Sequence, residues 1–425
     1  MDIAKIHQIF IESSGVCTDT RKITDKNLFF ALKGDNFNGN TYAQQAIKKG
    51  ASYAIIDEKE YITSEKHILV DNVLKTLQDL ASYHRKYLNI PIIALTGSNG
   101  KTTTKELINC VLSSNYNTTA TLGNLNNHIG VPLTLLSMNQ KTEIGIVEMG
   151  ANHLKEIGFL CSIATPDFGY ITNIGKAHLE GFGSLAGVLQ GKTELYTYLK
   201  KSNKLVFLNT EDTKLANEAK GMKAFTFSSS DKSDVSVQLQ AVNPMVSIRY
   251  TDNIIHSNLI GAYNFTNIAA AITIGNYFKI NPDQIKSAIE SYIPDNNRSQ
   301  IIKKSQTTVI LDAYNANPTS MRAALNNFEE LKYDTKTVFL GDMFELGKDA
   351  AEEHQEIVDQ AIQNSFNTIY LIGHNFYNTI SSDMRIRKFK SYDDFLEKES
   401  LAQIKDAVLI KGSRGMKLER ILDLI

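Results

Sequence analysis

The sequence predicts an α/β protein of three domains. Strand-like apolar runs alternate with helix-like segments along most of the 425 residues, which is typical of parallel sheets covered by helices. The length corresponds to about three domains, and a glycine-rich turn joins a strand to a helix at residues 96–103. We expect a small α/β N-terminal domain over 1–88, a central P-loop parallel-sheet domain with a β-rich portion over 89–295, and a C-terminal Rossmann-like, doubly wound domain over 296–425.

The first domain is predicted from short strands and helices. Apolar runs at 27–32 and 52–56 surround a helix-like segment at 42–49, and a longer helical segment covers 73–88. These elements suffice for a small α/β unit with its own core.

The central domain begins with the same alternation and then changes character. Residues 223–258 are rich in short β-like runs, and those at 245–250 and 253–258 are separated by two turn residues. This spacing predicts a β-hairpin at an edge of the sheet. The other predicted elements are strands at 90–96, 142–149 and 167–173 and helices at 101–113, 262–278 and 283–291.

The third domain follows a polar stretch at 293–297 that suits a hinge. It contains no G-x-G-x-x-G pattern, so no dinucleotide site is predicted. Its predicted strands are 307–312, 337–340, 368–372 and 407–410, and its predicted helices are 319–330 and 350–363.

The composition excludes several classes of function. A net charge of -1 and the lack of any basic cluster argue against nucleic acid and membrane surfaces as partners. No apolar run approaches the roughly 20 residues that cross a bilayer, and the N-terminus lacks the pattern of a signal peptide. The three cysteines are widely spaced, which favours reduced thiols over disulfides or zinc. We expect a cytoplasmic protein without membrane insertion.

The segment Thr96-Gly-Ser-Asn-Gly-Lys-Thr-Thr103, called here the phosphate loop, is the most informative stretch of the chain. Gly97 and Gly100 let the backbone curl so that its N–H groups point inward, towards a bound anion. Lys101 can reach the terminal phosphates, and the Thr102 hydroxyl can bind Mg²⁺. The loop lacks the first glycine of the common P-loop pattern, because Leu95 occupies that position. We predict that it binds ATP or a close relative.

Two further side chains follow predicted strands at the same sheet edge, where ligands of open parallel sheets bind. Glu148 ends an apolar strand and can hold Mg²⁺ together with Thr102, although a surface glutamate at a strand end would look the same. His178 lies in a polar, glycine-containing loop, and the residues alone leave a structural role and a metal or substrate role open. Lys192, taken alone, is interpreted as a solvated charge on a helix.

Residues further along the chain add weaker signals. Asn264 and Asn267 are three positions apart and therefore share a helix face. Arg298 could reach a phosphate across a cleft between domains, and Asp312 could bind a ribose.

Taken together, these segments resemble the Mur ligase family, the ATP-dependent amide-forming enzymes of peptidoglycan assembly. Two departures from the usual family pattern are Ala262-Tyr263 in place of Arg-His, and Asn297-Arg298-Ser299 in place of a Gly-Arg-Leu type of hinge. Nearly the whole chain is covered, through segments 18–21, 28–34, 96–103, 123–132, 148–153, 178–184, 312–318, 341–347 and 411–414.

The resemblance implies a reaction and its substrates. The first domain would hold a UDP-N-acetylmuramoyl-tripeptide, the central ATPase domain would bind ATP, and the third would bind D-alanyl-D-alanine, in an enzyme that we expect to be a monomer. An acyl phosphate formed from the tripeptide carboxylate would be attacked by the dipeptide amine. The implied substrate-binding residues are Thr18, Asp19, Thr20, Arg21, Lys33, Gly34, Asn126, Asn127, Asn315, Asn317 and Lys411.

The resemblance also implies the ATP and metal sites. Two Mg²⁺ ions would be held by Thr102, Glu148, His178 and Lys192, with Lys192 carbamylated so that a cation becomes a carboxylate-like ligand. The implied catalytic residues are Lys101, Glu148, His178 and Lys192. The implied ATP-binding residues are Gly97, Ser98, Asn99, Gly100, Lys101, Thr102, Thr103, Asn264, Asn267, Arg298 and Asp312.

Three alternatives remain open. A folylpolyglutamate synthase would share the fold but would not be expected to carry segments 18–21 and 29–34. A Mur ligase that adds the third residue usually has an amino-acid selection motif in its last domain, and none is found here. A nucleotide-gated scaffold protein would not need a second metal site.

Overall fold

Three main sheets organise the computed structural model, which describes residues 2–399, 401 and 404–425. Each sheet is drawn from one of the three predicted ranges, and the three-domain α/β architecture is confirmed. The limits near residues 88 and 295 stay predictions. Among the described residues, no helix combines the length and apolar character needed to cross a bilayer.

The first sheet has four parallel strands. The long predicted helix forms at Val73–Leu88, where Asn72 caps its N-terminus and Asn89 ends it in the left-handed conformation, with φ 48°. The predicted helix at 42–49 instead begins with a 3₁₀ turn, because the Asn38 side chain caps that turn. The elements of this part are strands Val16–Cys17, Leu28–Phe30, Tyr53–Ile56 and His67–Leu69, the hairpin Lys33–Gly34 with Phe37–Asn38, helices Ile3–Glu12, Ala43–Lys48 and Val73–Leu88, and 3₁₀ turns Gly39–Tyr42 and Lys59–Tyr61.

The second sheet has nine strands and places the phosphate loop at its centre. Strand Ile92–Thr96 lies between Phe168–Ile171 and Ile144–Glu148, and both pairings are parallel. The carboxyl ends of these three strands therefore emerge together. In spatial order the strands are Asn253–His256, Ser247–Tyr250, Val235–Ala241, Lys223–Ser228, Leu205–Asn209, Phe168–Ile171, Ile92–Thr96, Ile144–Glu148 and Thr118–Ala120.

Buried side chains of the central strand alternate between two cores, as a strand covered on both faces requires. Ile92 and Ala94 belong to one core, and Ile93 and Leu95 to the other. The predicted edge hairpin is confirmed by the antiparallel pair at the end of the sheet. The helices of this part are Lys101–Leu112, Gly130–Ser137, Glu156–Ala164, Leu179–Phe182, Leu185–Lys201, Thr213–Glu218, Asn264–Tyr277 and Pro282–Ser291.

The third sheet has six strands and helices on both faces, which confirms the doubly wound prediction. Val338 and Leu340 face a core shared with two long helices, whereas Phe339 faces a core built on Phe395 and Leu418. The first strand is antiparallel to the second, a feature that the sequence reading missed. In spatial order the strands are Gln300–Lys304, Thr307–Asp312, Asp406–Lys411, Lys336–Gly341, Thr368–Ile372 and Ile386–Phe389. The helices are Pro318–Glu330, Ala350–Gln363, His374–Tyr377 and Tyr392–Lys398, with 3₁₀ turns Gly347–Asp349, Arg414–Met416 and Leu418–Leu424.

Candidate active site

A cleft of about 720 Å³ lies where the phosphate loop faces the third domain. It brings together most of the residues that the sequence singled out for ATP, metal and dipeptide. The predicted residues that line it are Ser98, Asn99, Gly100, Lys101, Thr102, Thr103, Asn126, Asn127, Glu148, His178, Asn264, Asn267, Arg298, Asp312, Asn315 and Lys411.

The two glycines of the phosphate loop allow a backbone path that other residues would obstruct. Gly97 has φ 142° and Gly100 has φ 79°. A Cβ atom at Gly97 would lie 2.0 Å from Thr172 Oγ1, and one at Gly100 would lie 2.6 Å from Asn267 Oδ1. The turn therefore needs glycine both for its conformation and for its close packing.

The Lys101 amine is folded over its own loop. Its Nζ donates to the carbonyls of Gly97 at 2.8 Å and Ser98 at 3.3 Å. Burial lowers the pKa of Lys101; the Glu148 carboxylate opposes this shift and the Arg298 charge adds to it. The amine thus lies among groups that a bound polyphosphate would also contact.

Glu148 is a buried carboxylate tied to two neighbouring elements. Thr102 Oγ1 donates to its Oε2 at 3.0 Å, and Asn126 Nδ2 donates to its Oε1 at 2.8 Å. Its own N–H donates to Thr121 Oγ1 at 3.0 Å. A hydroxyl and a carboxylate held side by side are oxygen donors of the kind that Mg²⁺ uses.

The other ligands of such an ion would have to come from elsewhere. Among the described residues, no three His, Cys, Asp or Glu side chains are grouped so as to hold a metal. Mg²⁺ commonly takes only one or two protein carboxylates and completes its shell with water and substrate phosphates. The pair Thr102 and Glu148 fits that mode.

His178 begins the short helix Leu179–Phe182 and contacts the third domain. It has a left-handed φ of 53°, and its Nδ1 is hydrogen-bonded to the Glu345 carboxylate. Sequence reasoning did not find Glu345 as a partner, although the segment 341–347 had been noted.

The interpretation of Lys192 as a solvated charge is wrong, because its side chain has no exposed surface. Its Nζ donates to the Ala151 carbonyl at 2.9 Å and lies 5.1 Å from the centre of the Phe182 ring. Burial, followed by repulsion from Lys101, brings the pKa of Lys192 well below its ordinary value. The amine lies behind the cleft wall to which Ala151 belongs.

Asn264 and Asn267 share a helix face, as predicted, and support each other. Asn267 Nδ2 donates to Asn264 Oδ1 at 2.8 Å, and Asn264 Nδ2 donates to the Ile260 carbonyl at 2.8 Å. Thr104 Oγ1 donates to Asn267 Oδ1 at 3.0 Å. These bonds tie the phosphate-loop helix to helix Asn264–Tyr277.

The opposite wall of the cleft carries positive charge from the hinge and the third domain. The Arg298 guanidinium stacks on the Tyr314 ring at 3.8 Å, and its buried Nε has no hydrogen-bond partner among the described residues. Lys411 Nζ donates to Asp312 Oδ2 at 2.5 Å. The two sequence departures also meet here, since Tyr263 and Ser299 share a hydroxyl hydrogen bond of 2.8 Å.

An amide pair joins the phosphate loop to the third domain, and sequence reasoning missed it. Asn317 Nδ2 donates to Asn99 Oδ1 at 2.7 Å. Asn317 also caps helix Pro318–Glu330, where its Oδ1 accepts from Ser320 N–H at 2.9 Å. Nearby, Asn315 Oδ1 accepts from Ala316 N–H.

The residues predicted to hold the nucleotide-sugar lie in the first domain and do not line this cleft. Arg21 is paired with Asp19 at 2.8 Å, with 86% of the arginine side chain exposed; this hydrogen-bonded partner lowers the pKa of Asp19 to about 2. Lys33 lies 3.0 Å from Asp57 and 2.7 Å from Glu58. The remaining members of this group are Thr18, Thr20 and Gly34.

Comparison with protein families gives consistent matches along the chain. Residues 12–93 match the Mur ligase family catalytic domain, 95–275 the Mur ligase middle domain, and 297–414 the Mur ligase glutamate ligase domain.

Individual relatives match at full length. The UDP-N-acetylmuramoyl-tripeptide–D-alanyl-D-alanine ligase of Bacillus subtilis is 36% identical, over 97% of this chain and 93% of the relative. The ligase of the same name from Escherichia coli is 30% identical, over 97% and 93%. A crystal structure of MurF from Acinetobacter baumannii has a TM-score of 0.86 at 27% identity, covering 98% of both chains.

Proposed function

The chain belongs to the Mur ligase family, and on this premise we propose that it is an ATP-dependent ligase that joins D-alanyl-D-alanine to a UDP-N-acetylmuramoyl-tripeptide. The products are the pentapeptide precursor of peptidoglycan, ADP and phosphate. The observation that carries the proposal is the cleft in which Lys101, Thr102 and Glu148 face the third domain. The full-length similarity to ligases of this name supports the choice of substrates.

In the first step, the terminal carboxylate of the tripeptide attacks the γ-phosphorus of ATP, and ADP leaves. The loop N–H groups and Lys101 bind the phosphates and offset the charge that spreads over the transferred group. Lys101 exchanges its bonds to the loop carbonyls for bonds to phosphate oxygens. Arg298, whose buried Nε has no hydrogen-bond partner in the part of the chain that the structure describes, can add a second positive contact from the hinge.

Magnesium ions, when bound, would draw charge from the phosphate oxygens. Thr102 and Glu148 would hold the first ion. His178 is assigned to the second, together with Lys192 as a carbamate. A carbamate forms from an unprotonated amine and CO₂, and the lowered pKa of Lys192 supports that assignment.

In the second step, the amine of D-alanyl-D-alanine attacks the acyl phosphate, and phosphate leaves from the tetrahedral intermediate. No side chain need form a covalent bond, so rate enhancement comes from positioning and electrostatics. We assign the dipeptide site to third-domain residues that face the phosphate loop, among them Asn315, Asn317 and Lys411. Arg21 and Lys33 are assigned to the diphosphate end of the tripeptide substrate. We expect the enzyme to act as a cytoplasmic monomer.

The experiment is incubation with ATP, Mg²⁺, the tripeptide substrate and D-alanyl-D-alanine, followed by mass spectrometry. Equal amounts of ADP and pentapeptide are expected. No ADP should form without the tripeptide substrate, and without D-alanyl-D-alanine its formation should stop after a single turnover, because the acyl phosphate then has no amine to react with. Lys101→Ala is the matched variant, because removing this cleft charge should abolish turnover while the fold persists. If the enzyme instead adds a single free amino acid to a UDP-N-acetylmuramoyl-dipeptide, it is the Mur ligase that adds the third residue. Turnover of folate with glutamate would indicate a folylpolyglutamate synthase.

A further inference from the structure

We propose that Glu345 is a positioning residue that orients the His178 imidazole when the third domain docks on the central domain. The inference rests on the proposed function, since it concerns the same cleft. Glu345 does not line the cleft, whereas His178 does. Glu345 therefore acts through His178 and not on the substrate.

Glu345 holds the histidine segment at two points. Its carboxylate is hydrogen-bonded to His178 Nδ1, and its backbone carbonyl accepts from Glu180 N–H at 3.1 Å. The first contact fixes the ring and the second fixes the start of helix Leu179–Phe182. A glutamate that served only to balance surface charge would need neither a bond to the imidazole nor a backbone bond to Glu180.

The backbone of both partners is left-handed at this contact. His178 has φ 53° and Glu345 has φ 60°, in the left-handed region that side chains other than glycine rarely occupy. Gly347, two residues further on, also has a left-handed φ of 56°, and its turn packs against Glu180 at ordinary van der Waals distance. Such local strain persists where the surrounding structure enforces it, commonly at functional sites.

Other third-domain residues dock on the segment just before His178. Lys176 N–H donates to Thr319 Oγ1 at 3.0 Å, and Lys176 Nζ pairs with Glu353. The segment 175–180, called here the docking loop, is thus held by the third domain along its length. Docking of the third domain on this loop therefore also orients the His178 imidazole.

The chemical consequence concerns which ring nitrogen carries the proton. The Glu345 carboxylate accepts a hydrogen bond from Nδ1–H of His178, and this tautomer of the imidazole leaves the lone pair on Nε2. Among the described residues, Nε2 of His178 makes no hydrogen bond. Docking of Glu345 therefore leaves Nε2 of the cleft-lining imidazole with its lone pair available to a ligand. Without this contact the ring would be free to rotate and to exchange tautomers.

The test compares Glu345→Ala with Glu352→Ala, which removes an exposed carboxylate from a nearby helix. Glu345→Ala should lower kcat by about 10- to 100-fold, as is typical when the partner of a functional histidine is removed, with little change in KM for ATP. Glu345→Gln should recover part of the loss, because its amide oxygen can still accept from Nδ1. Glu352→Ala should match the wild type.

A second measurement separates positioning from general damage and does not depend on turnover. Long-range ¹H–¹⁵N spectra at about pH 8 should show His178 as the Nδ1–H tautomer in the wild type and in Glu352→Ala, and as a tautomer mixture in Glu345→Ala. The His178 signals are assigned from their loss in His178→Asn. An unchanged tautomer in Glu345→Ala, or wild-type kcat in that variant, would overturn the proposal. Absence of pentapeptide synthesis by the wild type would instead contradict the proposed function.

Discussion

At the scale of single residues, Lys192 is the side chain whose environment departs most from its sequence pattern. The run Gln190-Gly-Lys-Thr-Glu194 looks like an ordinary helix surface, yet the amine is fully buried and its pKa is well below the ordinary value. A buried lysine that is easily deprotonated is suited to modification by CO₂. The burial depends on Phe182 and Ala151, which the local sequence does not place.

The prediction for Lys192 is a loss of activity that a small acid can partly reverse. Lys192→Ala should lower turnover by about 100-fold or more, since it removes the side chain that is assigned, as a carbamate, to the second magnesium ion. Added acetate or formate should restore part of the rate by occupying the vacated space. Lys201→Ala, an exposed lysine of the same helix, is the control. Full activity of Lys192→Ala would reject the carbamate assignment and leave the ligase assignment standing.

Arg21 tests the division of labour between domains. Its side chain is largely exposed, so Arg21→Ala should not change the free energy of unfolding measurably. If Arg21 contacts the diphosphate as assigned, its loss removes one charge-assisted contact and leaves Asp19 unpaired, which should raise KM for the tripeptide substrate by about 10-fold. KM for ATP should change little, and Arg249→Ala on the exposed edge hairpin serves as control. Equal effects on both KM values would contradict the assignment.

At the scale of elements, a buried histidine pair links three helices. His7 of Ile3–Glu12 and His84 of Val73–Leu88 share a hydrogen bond of 3.0 Å, and His84 Nε2 donates to the Met138 carbonyl at 2.9 Å. His84 therefore accepts from His7 when both are neutral. Burial lowers the pKa of both rings, and repulsion between them lowers that of His7 further.

The sign of the resulting pH dependence is fixed by these lowered values. In the unfolded chain both rings take up protons near pH 6.5, but the folded chain does so only at lower pH. The stability that the two neutral rings contribute is therefore fully present above pH 6.5. It is lost as the pH falls from there towards their lower folded pKa values, with a slope of at most about 1.4 kcal/mol per pH unit for each ring. Urea unfolding at pH 8, 6.5 and 5.5 measures this. The free energy of unfolding should decrease less steeply with falling pH in His7→Gln than in the exposed control His374→Gln. Equal slopes in the two variants would contradict this role of the histidine pair.

Local sequence patterns predict some elements of this fold and leave others without a signal. The phosphate loop, the strand ending at Glu148 and the edge hairpin follow from local patterns, and all three are found where expected. The antiparallel strand Gln300–Lys304 has no such signal. A two-residue turn at 305–306 folds it back on strand Thr307–Asp312, with Ser305 at φ 54°, and this Ser-Gln pair is not one of the usual hairpin-turn dipeptides. The pair His178 and Glu345 was missed for a related reason, since its partners are 167 positions apart and meet only through domain packing.

At the scale of the whole molecule, the third domain completes the cleft begun by the central one. The amide pair of Asn99 and Asn317 connects the phosphate loop to a third-domain helix, and Arg298 enters from the hinge. A reaction that must exclude water from an acyl phosphate benefits from a site assembled by docking domains. None of the described residues of the first domain lines the cleft, which agrees with the assignment of this domain to the nucleotide end of the substrate.

The proposed reaction depends on activation of the tripeptide carboxylate by phosphoryl transfer in this cleft. The most direct measurement uses a tripeptide substrate with ¹⁸O in its terminal carboxylate, and follows the label by mass spectrometry during synthesis with D-alanyl-D-alanine. The account predicts that one ¹⁸O atom appears in the released inorganic phosphate for each pentapeptide formed, because that oxygen bridges carbon and phosphorus in the acyl phosphate. Unlabelled phosphate accompanying pentapeptide formation would contradict it.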